Sequence, residues 1–199
     1  MPTETTRKGE ITRKTRETDI SLTLTIDGAG QHAITTGVPF IDHMLTLFAV
    51  HGFFDLTITA TGDTEVDDHH TVEDLGICLG QAFKQALGDF SNIKRYGFST
   101  VPMDEALVRV TLDFSNRPFL HYGVTLSDQK VGEFDVALAR EFLRAFSLHA
   151  GLTLHVEMAH GDNTHHILEA IFKAMAKALD QAAAFDSRVK GPLSSKGAL

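Results

Sequence analysis

The chain has 199 residues, 43% hydrophobic and 22% charged, enough to bury one or two cores and too apolar for a disordered or collagen-like class. A net charge of −8 leaves no basic footprint for nucleic acid, so an anionic ligand would need a local cationic pocket built against the overall field. No apolar run approaches the roughly 18 residues of a bilayer span, the opening MPTETTRKGEITRKTRETD holds no signal-like apolar stretch, and a cytoplasmic location is expected.

In chain order, alternation from Glu10 to Asp27 predicts two strands, and the apolar stretch Pro39 to Val50 predicts a helix. A strand follows over Phe54 to Ala60. A helix then runs from about Asp68 to Leu87, with Val72, Leu75, Leu79, Ala82, Phe83 and Ala86 at helical spacing and Gly88 to close it. From Gly97 the order recurs: strands at Leu107 to Phe114 and Phe119 to Leu126, a helix from Phe134 to His149, a strand at Thr153 to Met158, and a helix from Thr164 to Ala184. The expected fold is α+β, a two-layer sandwich of two duplicated ββαβα half-domains, each a mixed sheet with helices on one face. It forms a single catalytic domain over 1–199, with half 1 at about 7–92, half 2 at about 93–190 and a tail at 191–199.

Duplication is also written in the motifs. His69-His70-Thr71-Val72-Glu73 returns as His165-His166-Ile167-Leu168-Glu169, and His43 and His51 upstream correspond to Glu141 and His149. On a helix, residues four apart share a face, so His69 with Glu73, and His165 with Glu169, can each grip one ion from a single turn. The adjacent His70 and His166 are turned about 100° away and should reach a second ion. Pseudo-symmetry then groups His69, Glu73, His166 and His43 in one site and His165, Glu169, His70 and Glu141 in another. Because the chain has one cysteine, Cys78, any metal must sit on nitrogen and oxygen, which suits Mn, Fe or Zn, and two carboxylates with open positions lean toward Mn. His32, His121, His155 and His160 lack such a context and read as surface or sheet histidines.

These residues also carry a resemblance. Phe40-Ile41-Asp42-His43-Met44-Leu45, Asp67-Asp68-His69-His70-Thr71-Val72-Glu73-Asp74-Leu75-Gly76 and Met103-Asp104-Glu105-Ala106 resemble the signatures of imidazoleglycerol-phosphate dehydratases. So do Gly161 to Ala170 with Phe172-Lys173-Ala174 and the tail Ser194-Ser195-Lys196-Gly197, so the likeness runs from about Arg7 to Gly197. It implies a hydro-lyase of histidine biosynthesis that converts D-erythro-imidazole glycerol phosphate to imidazole acetol phosphate and water, with two Mn(2+) per active site. It further implies a homo-oligomer of 24 subunits with sites between chains, a strand order, and no nucleic-acid or membrane partner.

Residue by residue, the resemblance implies metal ligands at His43, His69, His70, Glu73, His165, His166 and Glu169, and at Glu141, where some members carry histidine. Glu17, Glu73 and Glu169 are the implied catalytic residues, with Glu17 the base. Substrate binding falls on Glu17, His43, His51, His69, Arg95, Arg117, Lys173, Ser195 and Lys196. Without the resemblance Glu17 reads as a solvated strand residue, and Lys173, four residues beyond Glu169, could equally form a helix salt bridge. The glycine- and serine-rich tail, Lys190 to Leu199, is expected to be mobile until phosphate binds.

The chemistry explains the residue types. The hydrogen to be removed lies on a carbon with no carbonyl beside it, so a carboxylate alone cannot take it. If both ring nitrogens of the substrate meet cations, the imidazole can become imidazolate and expel the neighbouring hydroxyl, and the diazafulvene-like product acidifies the next C–H. Two other readings stay open: a dinuclear metallohydrolase of phosphate esters, and a metal-stapled assembly protein without turnover.

Overall fold

The computed structural model describes residues 6–199, so residues 1–5 of the expected domain lie outside the described residues. The first half comprises β1 (Lys8–Lys14), β2 (Thr18–Thr25), β3 (His32–Thr35), α1 (Pro39–Gly52), β4 (Asp55–Gly62) and α2 (His69–Leu87). The second comprises β5 (Tyr96–Met103), β6 (Ala106–Asp113), β7 (Phe119–Gly123), the short hairpin β8 (Lys130–Val131) and β9 (Phe134–Asp135), α3 (Ala137–Ala150), β10 (Thr153–His160) and α4 (Thr164–Ala183).

Each half is a four-stranded mixed sheet, in the orders β1-β2-β4-β3 and β5-β6-β10-β7, so corresponding strands occupy corresponding places. β3 and β7 run parallel to β4 and β10, and the other neighbours are antiparallel. In its four-stranded sheet each half therefore carries one strand more before its first helix than alternation predicts, and the second half adds the β8–β9 hairpin. The patterning missed β3 in the first half and β5 in the second, and it started α3 three residues early, on the β8–β9 hairpin.

Alternation explains the layering. Ile20, Leu22 and Leu24 on β2 and Leu56, Ile58 and Ala60 on β4 turn inward, as do Val108, Val110 and Leu112 on β6, while the threonines between them face out. α2 packs on β1 and β2, α4 on β5 and β6, and the halves join helix to helix, α2 on α3 and α1 on α4. The Phe83 and Phe146 rings, 5.5 Å apart, carry the core across the junction, and Phe142 and Phe172, 5.5 Å apart, continue it within the second half. Among the described residues no helix is long and apolar enough to cross a membrane.

Two contacts fix the helices on their sheets. A Cβ on Gly9 would lie 2.2 Å from the Ala82 carbonyl oxygen, and one on Gly97 would lie 1.9 Å from that of Ala178. Only glycine lets strand and helix backbones come so close.

Candidate active site

The two HHxxE helices begin where they do because their first amide groups are capped. Asp67 Oδ1 accepts from His69 N at 2.8 Å, and Asn163 Oδ1 accepts from His165 N at 2.9 Å and from His166 N at 3.3 Å. Each pair of histidines is thereby held on a first helical turn at the same end of its half.

The helix pairing decides which donors meet. Because α1 packs on α4, His43 Nε2 lies 2.9 Å from Glu169 Oε1, which His165 Nε2 also reaches at 3.2 Å. Lys173 Nζ donates to Glu169 Oε2 at 2.6 Å. Burial pushes the Glu169 carboxyl upward, but the Lys173 ammonium and the two imidazoles outweigh it and bring its pKa down to about 2. Phe40 meets the His165 ring edge-on at 5.4 Å and stacks on Phe134 at 4.8 Å, walling a mostly apolar recess of about 470 Å³ beside the cluster.

His43, His165 and Glu169 offer three ligand atoms within 4.8 Å of one another, the one such group among the described residues. Two imidazole nitrogens and a carboxylate oxygen are a donor set that fits Mn, Fe or Zn.

The corresponding cluster on α3 and α2 is more open. His69 Nε2 stands 3.9 Å from Glu73 Oε2. Arg144 spans the two carboxylates, with Nη2 3.3 Å from Glu73 Oε1 and Nε 2.9 Å from Glu141 Oε2. The grouping expected from pseudo-symmetry is thus corrected. His43 joins His165 and Glu169 rather than His69 and Glu73, and Glu141 joins Glu73 rather than Glu169, because helices pair across the halves and not within them.

His70 and His166 turn away from both clusters, as the 3.6-residue period requires. His70 Nδ1 lies 3.1 Å from Asp63 Oδ2, while its Nε2 is 4.0 Å from Glu17 Oε1 at the turn between β1 and β2. His166 Nδ1 lies 2.7 Å from Glu105 Oε2 at the turn between β5 and β6. Asp63 and Glu105 were not singled out from the sequence as site residues, although Glu105 sits in the Met103-Asp104-Glu105-Ala106 motif.

A separate cleft of about 1130 Å³ collects Arg95, Arg117, Ser195 and Lys196, joined by Arg188 and Lys190, which the sequence reading overlooked. Arg95 is held rigid: it is bidentate on Asp113 at 2.6 and 2.9 Å, and its third nitrogen binds the Leu193 carbonyl. The tail is tied here too, since Asn92 N donates to the Gly191 carbonyl at 3.0 Å and Ser91 bridges to Pro192. Lys173 does not line this cleft; it takes the i,i+4 ion pair that its spacing allowed. His51 stands on the last turn of α1, where burial and the charges of Lys173 and Lys177 depress its pKa.

Comparison with known proteins bears on this arrangement. A family model described as imidazoleglycerol-phosphate dehydratase matches residues 36–179. Curated proteins of that name include one from Desulfotalea psychrophila, 58% identical over 196 residues with 98% of both chains covered. Another, from Bacillus pumilus, is 60% identical over 193 residues, 97% of this chain and all of its own. The crystal structure of the Staphylococcus aureus imidazoleglycerol-phosphate dehydratase superposes with a TM-score of 0.82 at 41% identity, over 90% of this chain and 99% of that one. The Pyrococcus furiosus structure, in complex with (S)-C348, gives 0.83 at 38% identity over 95% of this chain and 100% of that one. Both HHxxE motifs fall within the span of the family model, and the chain belongs to the imidazoleglycerol-phosphate dehydratase family and is a hydro-lyase of histidine biosynthesis.

Proposed function

We propose that the chain dehydrates D-erythro-imidazole glycerol phosphate to imidazole acetol phosphate and water in a metal-dependent reaction, with two Mn(2+) in each active site. The observation that carries the metal dependence is the convergence of His43, His165 and Glu169 on one point beside an apolar recess. His69 and Glu73, with Glu141, form the counterpart donor set, and His70 and His166 supply the outward-facing nitrogens. When bound, the divalent ions would lower the energy of negative charge on the substrate's imidazole ring.

The chain's own groups do the rest. Glu17, on a two-residue turn 4.0 Å from His70 Nε2, is beside whatever that nitrogen binds, so its carboxylate is well sited to take the proton from the substrate carbon next to the departing hydroxyl. The hydroxyl leaves with one proton as water, a proton that the one taken by Glu17 makes good, and the enol that remains rearranges to the ketone. Arg117, Ser195 and Lys196, set around the braced Arg95, supply the cationic clamp for the phosphate.

Geometry also supports active sites made from more than one copy of the chain, as in a homo-oligomer of 24 subunits. The donors sit on the first turn of α4 and the phosphate cleft at its far end, where Arg95 N donates to the Ala182 carbonyl. At 1.5 Å per residue, His165 and Ala182 are roughly 25 Å apart along the helix. The three carbons and ester oxygen between ring and phosphorus span about 6 Å. On this reading one chain supplies the metal donors and another the phosphate clamp for the same substrate. The free, buried Cys78 is compatible with a reducing cytoplasm.

The test is turnover of chelator-stripped protein with and without added Mn(II), alongside Glu17→Gln. Turnover should require Mn(II), and Glu17→Gln should bind substrate yet run on the order of 10²–10⁴ slower. Mn-loaded, assembled protein without turnover would reject the reading in favour of the phosphoesterase or stapled-assembly alternatives. Co-assembly of two inactive variants, His165→Ala and Arg117→Ala, should restore part of the activity; no recovery would mean that each site is built by one chain.

A further inference from the structure

The two histidines that turn away from the donor clusters are each gripped by a carboxylate through Nδ1. A carboxylate at hydrogen-bonding distance only accepts, so Nδ1 must carry the proton and the neutral ring must keep its lone pair on Nε2. In His166 the partner is Glu105, whose Oε2 lies 2.7 Å from Nδ1. In His70 it is Asp63, whose two oxygens lie 3.1 and 3.2 Å from Nδ1.

These carboxylates come from different places in the duplicated fold. Register makes Glu17 and Glu105 counterparts: the Lys14 and Asp19 pair corresponds to the Pro102 and Leu107 pair, so each glutamate is the second residue of a two-residue turn. By register Thr61 matches His160 across the bulge in β10, so Gly62 matches Gly161 and Asp63 matches Asp162, whose carboxylate makes no hydrogen bond to His166 among the described residues. The second half therefore leaves the Asp63 solution unused, and its hairpin glutamate does that work instead. In the first half Asp63 holds His70, and the hairpin glutamate stays free, 4.0 Å from His70 Nε2.

Resting on the metal-dependent reading above, we infer that Glu105 and Asp63 are positioning residues, which set the tautomer and aim of His166 and His70 so that Nε2 faces an Mn(II) ion. Glu105 is not a second base, although it occupies the place of Glu17. The duplicated acid has divided its labour: one copy is left to move a proton, the other is committed to a ligand.

Geometry makes the two positions respond differently to amide substitution. Glu105 Oε1 already accepts from Asn163 N at 2.8 Å and Asp162 N at 3.3 Å. In Glu105→Gln the amide oxygen must stay on those backbone donors, so the NH₂ group faces His166 Nδ1 and donates to it. That drives the proton to Nε2 and removes the lone pair that would bind the ion. Asp63 has no other hydrogen-bond partner for its side chain among the described residues, so Asp63→Asn can turn its oxygen toward Nδ1 and keep the tautomer.

The experiment is Mn(II) binding by the full-length assembled protein, read from the spin-resonance signal of free Mn(II), with thermal stability measured in parallel. Glu105→Gln should weaken one class of Mn(II) sites about 10- to 100-fold, and Asp63→Asn should weaken binding by less, both with an unchanged melting temperature. At saturating Mn(II), Glu105→Gln should recover most of its turnover, whereas Glu17→Gln should bind Mn(II) normally and remain slow. Unchanged Mn(II) affinity in Glu105→Gln would overturn the inference. So would a loss of affinity that only follows a loss of stability, since Glu105 would then serve the loop alone. If the wild-type protein binds no Mn(II), the metal-dependent reading itself fails, which separates the two failures.

Discussion

The cluster on α1 and α4 and the cluster on α3 and α2 descend from the same place in a duplicated unit, yet they differ in chemistry. The first gathers two histidines on a buried Glu169 backed by Lys173, while the second sets Glu73 and Glu141 against an exposed Arg144. Behind both lies a scaffold that hardly differs: a glycine where the first strand meets the helix, and an Asp or Asn cap two residues before the first histidine. Where a strand backbone touches a helix backbone there is no room to change, so the halves agree. Charged side chains with solvent on one side had that room, and there they diverged.

The first way to break this comparison is at its shared part. Gly97→Ala places a methyl 1.9 Å from the Ala178 carbonyl oxygen, and Gly9→Ala places one 2.2 Å from that of Ala82. Neither oxygen can swing aside, since both belong to helix backbone. Each substitution should cost about 3 kcal/mol or more, above the ordinary overpacking penalty, and denaturant unfolding should show similar losses for the two. A loss below about 1 kcal/mol in one half would mean that the halves do not share this contact.

The next expected effect lies where the halves differ. In metal-free protein, Glu169→Gln leaves the Lys173 ammonium, only 14% exposed, without its partner and should cost about 2 kcal/mol. Glu73→Gln loses a pair with a 61% exposed Arg144 and should cost under about 1 kcal/mol. The pH dependence gives the sign. A carboxyl held at about 2 in the folded chain, against about 4.3 when unfolded, stabilises fully above the unfolded value and loses that contribution as pH falls toward 2. The stability gap between wild type and Glu169→Gln should therefore close between about pH 5 and pH 2. A gap that persists at pH 2 would show that packing, not ionisation, is what Glu169 contributes.

The same contrast explains what could be read from the sequence. Both HHxxE helices were legible because helical periodicity and two identical motifs agree, and the sheet-buried faces of β2, β4, β6 and β10 alternate cleanly. β5 was illegible because its pattern is inverted: its inward face holds Gly97, Ser99 and Val101, kept small by the closeness of α4, while Tyr96 and Phe98 point to solvent. β3 is four residues long and mostly exposed, with too little burial to leave a period. Helical spacing puts His69 with Glu73 and His165 with Glu169. It carries no information on which helix lies alongside, so the placement of His43 and Glu141 had to come from the tertiary packing of α1 on α4 and α3 on α2. Arg95, Arg117, Ser195 and Lys196 meet only because the chain's tail folds back along Asn92, a contact no local pattern records.

The smallest effect tests the helices themselves. Along α2, Gly76 and Gly80 let α3 approach so closely that a Cβ would meet the Phe142 and Phe146 carbonyl oxygens at 2.6 and 2.7 Å, whereas the corresponding α4 positions are Phe172 and Ala176. Between those glycines Cys78 is buried, as is Ala174, its counterpart on α4. Cys78→Ala copies the second half into the first and removes one sulfur, so it should cost on the order of 1 kcal/mol or less. Burial pushes the Cys78 thiol up to about 11, which leaves roughly 0.1% thiolate at pH 8, and sulfur without access to solvent reacts only when the helix opens. Alkylation of the native protein should therefore proceed at the rate of unfolding, and in step with it across denaturant concentrations. Labelling that outruns unfolding would mean that α2 moves on α3 without the rest of the fold, and that the tighter of the two helix junctions is the one that yields first.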